Sequence, residues 1–184
     1  MRGLPYLALV AAIIQTTLPE TKAQSALPSP FEQRVQVEAV RAKRSKIEGG
    51  DFDDKKDRVS FTLKFVNTDT KADFPDCKGE FFVLAQSIVD RKALQVLGVE
   101  KFALSLPPRG TSSVTTGEVV SQWDNTGARF GAKYDGWVLI VRDSAGKIVM
   151  KKATNPTWLP LAEKLGAVQV KTFFDKALKP VEVQ

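Results

Sequence analysis

The chain has 184 residues, 43% of them hydrophobic and 26% charged, with a formal net charge of +6, one cysteine and no histidine. That composition is too apolar for disorder and long enough for one domain burying roughly 70% of its unfolded surface, so neither a disulfide nor a structural metal is needed to hold it together. The missing histidine removes the usual general base, metal ligand and proton shuttle, and with them the histidine-dependent serine, cysteine and zinc hydrolases.

Residues 1–25 read as an export signal: Arg2, an apolar run from Leu4 to Leu18 interrupted by Pro5 and Gln15, then a small-residue exit that places cleavage after Ala23 or Ser25. The run is short for a membrane span of about 20 residues. A retained anchor is the alternative. The expected destination is the periplasm, the outer surface or the medium, and removal of the segment leaves the protein basic. A basic exported chain suits acidic partners: an anionic surface, an acidic glycan or an acidic protein. Cys77 is expected to be buried, since one cysteine cannot form an internal disulfide.

Residues 26–33, within and after "SALPSP", read as a linker. Val35, Val37 and Ala39 then alternate with Gln36 and Glu38, the period of a strand with one wet face. The pattern slips at Val40, which suggests a bulge or an edge position. "GGDFDDKKD", residues 49–57, reads as a charged loop. In "RVSFTLKFVNT", Val59, Phe61, Leu63 and Phe65 share one face of a strand against Ser60, Thr62 and Lys64.

The run "GEFFVLAQSIVD" from Gly79 to Asp90 has the length of a strand buried on both faces. Ala93 to Leu97 and Glu100 to Leu106 read as two more strands, and "TSSVTTGEVV" as another after the break at "PPRG". Residues 121–133 read as a long loop. Trp137 to Val141, the turn "DSAG" and Lys147 to Lys151 form a hairpin whose Asp and Gly suit a type I turn with a bulge. Seven or eight strands with turn signals between them describe an all-β antiparallel sandwich over residues 34–155.

Residues 156–184 change period and read as a short C-terminal helical extension. Trp158, Leu161, Ala162 and Leu165 lie at i, i+3, i+4 and i+7 of one helix that Gly166 could end, and a second is expected from Thr172 to Leu178.

Motifs for chemistry are weak. Ser144 and Lys147 have S-x-x-K spacing but fall in the hairpin turn, where these residue types are expected anyway. Asp51, Asp53, Asp54 and Asp57 could in principle meet a hard cation, yet Lys55, Lys56 and Arg58 interleave them and the EF-hand pattern fails. No phosphate-binding glycine loop is present. The reading is therefore a protein that is not an enzyme, with no cofactor and no metal. The dense basic run holds Arg41, Lys43, Arg44 and Lys46. It reads as a guarded strand edge or a docking patch for another protein, and nucleic acid is not expected, since an exported chain seldom meets it. Trp123 and Phe130, on the expected long loop, are candidate glycan-stacking residues.

Two stretches, "VSFTLKFVNTDTK" and "ARFGAKYDGWVLIVRDSAGKIVMKKATNP", carry a family likeness. Together they resemble small exported immunoglobulin-like proteins of verrucomicrobial bacteria, in which a strand ending in "VNT" opens the sandwich. A K-Y-x-G-W strand and an R-D-x-x-G-K turn, here Lys133 to Trp137 and Arg142 to Lys147, close it. The resemblance implies an immunoglobulin-like fold. Some such proteins are associated with type IV pilus machinery, which implies a binding or assembly role toward an envelope or surface protein, a pilus component among them. The chain does not itself read as a pilin, because its small-residue exit follows the apolar stretch.

Overall fold

A computed structural model describes residues 28–47, 54–124, 126 and 130–183. The export signal expected over residues 1–25 lies outside the described residues. The fold is all-β and antiparallel in two sheets, one of them curled into a half-barrel.

The first described element departs from the expected linker. Pro30–Arg34 forms a helical turn, α1, because Ser29 accepts the Glu32 amide at 3.0 Å and Pro30 suits the first helical position. Its Phe31 is 2% exposed and packs edge-on against Phe74, ring centroids 5.0 Å apart. The Ser29 hydroxyl also donates to the Val149 carbonyl, tying this turn to a strand far along the chain.

Strand β1 (Val35–Ile47) runs beside β2 (Asp54–Asn67) in unbroken register from Val35 opposite Asn67 to Ile47 opposite Lys55. Of the two expectations for the slip at Val40, no bulge interrupts the register, and the edge position holds, since β1 is an end strand of its sheet among the described strands. The change of residue type at Val40 is an exchange of apolar for charged side chains on an unchanged pleat. Of the loop expected over residues 49–57, residues 54–57 belong to β2, which begins at Asp54, and residues 49–53 lie outside the described residues. Along β2, Val59, Phe61, Leu63 and Phe65 are all buried, as their alternation requires.

Strand β3 (Phe74–Ser87) crosses to the second sheet and pairs with β4 (Leu94–Leu106). One strand stands where two were expected, because a register shift between Val83 and Leu84 absorbs the irregular residues around Leu97. Conversely "TSSVTTGEVV" divides at Gly117 into β5 (Thr111–Thr115) and the start of β6 (Val119–Asp124), and both pair with β2. The expected loop over residues 121–133 is accordingly strand at each end. Strand β7 (Ala132–Arg142) and β8 (Ile148–Ala153) form the final hairpin. Its turn closes through the Gly146 amide donating to the Asp143 carbonyl at 2.9 Å, with Gly146 at φ +80°.

The sheets order as β1-β2-β5, with β6 also on β2, and β8-β7-β3-β4, where a short last strand, β9 (Phe173–Phe174), adds beside β4. With β5 and β6 counted as one interrupted strand, the first, second and fifth strands face the third, fourth, sixth and seventh, an immunoglobulin-type Greek key. Phe61, Phe65, Phe81, Leu139 and Val141 fill the space between the sheets.

A second apolar layer lies on the outside of the five-stranded sheet. Phe82, Leu84, Val138 and Ile140 point away from the sandwich interior and are covered by residues 158–178. The i, i+3, i+4, i+7 set faces inward as expected, with Trp158, Ala162 and Leu165 buried, but it is carried by a 3-10 turn over Pro156–Trp158 and a four-residue helix, α2 (Ala162–Leu165). Pro160 has no amide to extend the first into the second. The helix expected from Thr172 to Leu178 is not formed. Phe173–Phe174 is instead a short strand, β9, pairing with Gln95 and Leu94 of β4. A seven-residue helix is marginal by itself, and an open strand edge offers its backbone bonds that an isolated turn lacks.

Candidate functional site

The basic run lies on β1, the end strand of its sheet among the described strands. Register sorts its residues. Opposed residues of an antiparallel pair share a face, so Arg41 opposite Phe61 and Lys43 opposite Val59 inherit the inward parity of Val37 and Ala39. Arg44 opposite Arg58 and Lys46 opposite Lys56 lie on the outer face. The four cations therefore do not form one stripe.

The inward pair is engaged within the protein. The Arg41 guanidinium sits 5.0 Å from the centroid of the Tyr134 ring. Burial pushes the Tyr134 phenol up, while the nearby Arg41 charge works in the opposite direction. Lys43 Nζ lies 2.7 Å from Asp57 Oδ2, and Ser45 donates its hydroxyl to Asp57 Oδ1 at 2.6 Å. The Asp57 side chain is 4% exposed against 39% for Lys43, so the lysine reaches in from the rim. The run "GGDFDDKKD" suggests a charged loop for Asp57, but its parity with Val59 and Phe61 is the signal that places it inward.

The outer pair lies across from other cations. Arg44 facing Arg58 and Lys46 facing Lys56 put like charges directly across the ladder twice in succession, which disfavours pairing. Arg58 is offset by Glu118 at 2.9 Å.

The backbone of β1 has a defined phase. Thr68 N–H donates to the Arg34 carbonyl at 2.8 Å, so residues two, four and six positions beyond Arg34 also bond toward β2. The intervening residues Val37, Ala39, Arg41, Lys43 and Ser45 direct their N–H and C=O off the open edge. The Val35 N–H fits this phase, since it turns away from β2 to Phe31 O. On the facing sheet β8 is likewise an end strand, and α1 bridges the two edges through Ser29 and Val149. Beyond α1, partly buried Val37 and Ala39 line this side of the core.

Trp123 and Phe130 do not make a shared stacking face. Trp123 lies in β6, 5% exposed, with Lys133 Nζ 5.9 Å from its ring centroid. Its expected loop position fails because Trp123 pairs with Lys55 of β2 on one side and bridges to Gly131 on the other. Gly131, at φ +98°, would place a Cβ 2.2 Å from Gln122 O, so the close approach requires glycine. Phe130 remains 44% exposed. Ser144 and Lys147 occupy the β7–β8 turn, where Lys147 N–H donates to the Asp143 carboxylate at 2.9 Å.

No protein-family model matches the chain, and no curated protein matches it. Among solved structures, a crystal structure from Akkermansia muciniphila, a verrucomicrobial bacterium, is similar at 12% identity and a TM-score of 0.34, covering 83% of this chain and 91% of that one. An X-ray structure of a Northeast Structural Genomics Consortium target is similar at 11% identity and a TM-score of 0.36, covering 68% of this chain and 90% of that one. Both are distant likenesses, and neither assigns a family.

Proposed function

We propose that the chain is a non-catalytic exported module that engages an envelope or surface protein by adding one of that protein's extended segments to β1. The observation that carries this reading is the combination on one strand of an open edge with outward N–H and C=O groups and a cationic outer face. Strand addition supplies main-chain hydrogen bonds, and alternate side chains supply the selectivity. The partner segment should carry acidic residues beside Arg44 and Lys46, and small apolar ones beside Val37 and Ala39. A component of type IV pilus machinery is a partner of this kind, suggested by the sequence resemblance alone.

Backbone phase provides the test. Proline at position 39 removes an N–H that points off the edge, whereas proline at position 42 removes one that bonds to β2. With a photo-crosslinker at Val40 in native envelopes, Ala39→Pro should keep the circular dichroism of the parent and lose the crosslinked partner. Undiminished crosslinking in a folded Ala39→Pro protein would exclude strand addition.

A further inference from the structure

At the end of the sandwich where β3 turns into β4 and β7 begins, two clefts adjoin. One, of about 450 Å³, lies against Leu94, Trp158 and Leu161, with Arg91, Lys92 and Lys176 around it. The other, of about 560 Å³, continues past Lys133 and Tyr134. They share Gln86, Arg91 and Asp135, so they form one bent trough. Each volume falls in the range of about 300–1,000 Å³ typical of ligand clefts.

The side chains here form a pattern. Over the whole trough four cations, Arg91, Lys92, Lys133 and Lys176, stand against two carboxylates, Asp124 and Asp135, with the excess of positive charge in the first cleft. Between them sit neutral hydrogen-bonding groups fixed by local bonds. Gln86 Nε2 donates to the Arg91 carbonyl at 2.7 Å, which holds the β3–β4 turn. Asn155 Oδ1 accepts from the Thr157 amide at 3.0 Å and from its hydroxyl at 2.8 Å. These bonds orient the neutral groups before any ligand arrives, which lowers their ordering cost on binding, while Arg91, Lys92 and Lys176 are exposed. The first cleft's apolar wall, Leu94, Trp158 and Leu161, belongs to the layer that fastens the C-terminal extension to the sheet. The extension thus does more than cover an apolar face, since it builds one side of the trough.

From these features we propose that the trough binds an acidic oligosaccharide, one carrying carboxylate or sulfate groups along a chain of hydroxyls. Cations match the acidic groups, the amides and the Thr157 hydroxyl match the sugar hydroxyls, and half-buried Leu161 offers an apolar contact to a sugar ring, while Trp158 and Leu94 are buried beneath it. An acidic peptide fits less well. β3 and β7 are interior strands, each paired on both sides, and the end of β6 that lines the trough is bridged by Gly131 to Trp123 and by the Phe130 carbonyl accepting the Asp124 amide at 3.1 Å, so the trough offers a peptide little strand edge to extend. This site is separate from the β1 edge and does not depend on it.

The full chain is titrated calorimetrically at low salt with three probes: a heparin-derived hexasaccharide, a galacturonate hexamer and a poly-glutamate peptide. Binding of the first alone identifies sulfate as the recognised group, and binding of the second identifies carboxylate. The exposed pair Arg91→Glu/Lys176→Glu should weaken oligosaccharide binding by about tenfold or more, while the equally charge-changing Arg44→Glu/Lys46→Glu on β1 should alter it by less than about twofold. Equal losses in the two variants would reduce the effect to net charge and overturn the site. So would poly-glutamate binding more tightly than either sugar, or no uptake of either oligosaccharide by the unaltered protein.

Discussion

Phe102 of β4 lies over Gly79 of β3, the residue directly opposite it, so closely that a Cβ at position 79 would sit 2.1 Å from the ring Cζ. The ring fills the space a side chain would take and continues toward Phe65, with centroids 5.7 Å apart. Gly79→Ala must displace it, and we expect a loss of about 1–3 kcal/mol in urea unfolding. The penalty should shrink in a Phe102→Ala background, where nothing occupies that space. An equal penalty in both backgrounds would mean that the contact does not set the cost.

The Lys43 and Asp57 pair joins the edge strand to the core side of β2. Lys43→Ala leaves the buried carboxylate with Ser45 as its remaining side-chain donor among the bonds described above, and should destabilise by about 1–3 kcal/mol. Replacing both partners, as Lys43→Met with Asp57→Leu, should cost less than the single change, because no charge is then stranded. A double variant weaker than Lys43→Ala would show that the pair itself contributes net stability.

How far these features could be read in advance follows from what decides them. β2 was plain because Val59, Phe61, Leu63 and Phe65 alternate with polar residues, and the two-residue period has no helical counterpart. The hairpin turn was plain because Asp143 and Gly146 meet a local backbone requirement. By contrast β9 depends on an open edge at Leu94 and Gln95, some eighty residues earlier in the chain, which no local pattern announces. Trp123 is hidden from local pattern for the same reason: its neighbours Asn125 and Gly127 look like a loop in sequence, while its burial comes from pairing with β2. The basic run was legible as an edge, but the inward engagement of Arg41 and Lys43 needed Tyr134 and Asp57 brought from distant strands.

The C-terminal extension should behave as part of the fold. Trp158 is 5% exposed and packs where β7 passes at Gly136, a site at which a Cβ would come within 2.8 Å of the indole. Trp158→Ala should therefore cost about 3–5 kcal/mol and increase dye binding at the outer face of the five-stranded sheet. Gly136→Ala should reproduce part of the effect by pushing the indole outward. Unchanged stability in both variants would mean that the extension is merely laid on the sheet.

The Cys77 thiol is 2% exposed, and burial pushes its pKa up, with Asp143 and Asp76 adding to the shift. Reaction with a disulfide reagent at mildly alkaline pH should wait for unfolding, because the reactive thiolate is both scarce and inaccessible. Rapid modification of the native protein would place Cys77 at the surface.

The pH dependence of stability should be flat through the neutral range, since no histidine is present to titrate there, and should fall on the acid side. Amides of Ala72 and Lys71 hold the Asp69 carboxyl below its ordinary value, with Arg34 contributing at 3.1 Å. A hydrogen bond from Lys151 does the same for Glu163. In each case the folded state favours the ionised form, so the unfolded chain takes up protons first as pH drops. The stabilisation is complete well above the unfolded values of 3.8 for Asp69 and 4.5 for Glu163, and it disappears as pH falls through the lower folded values. Asp69→Asn cannot ionise, so its deficit in urea midpoint relative to the parent should be largest near neutrality and should narrow below about pH 4. A deficit that stays constant from neutral pH into that acid range would mean that the loop around Asp69 is held by the shape of the side chain rather than by its charge.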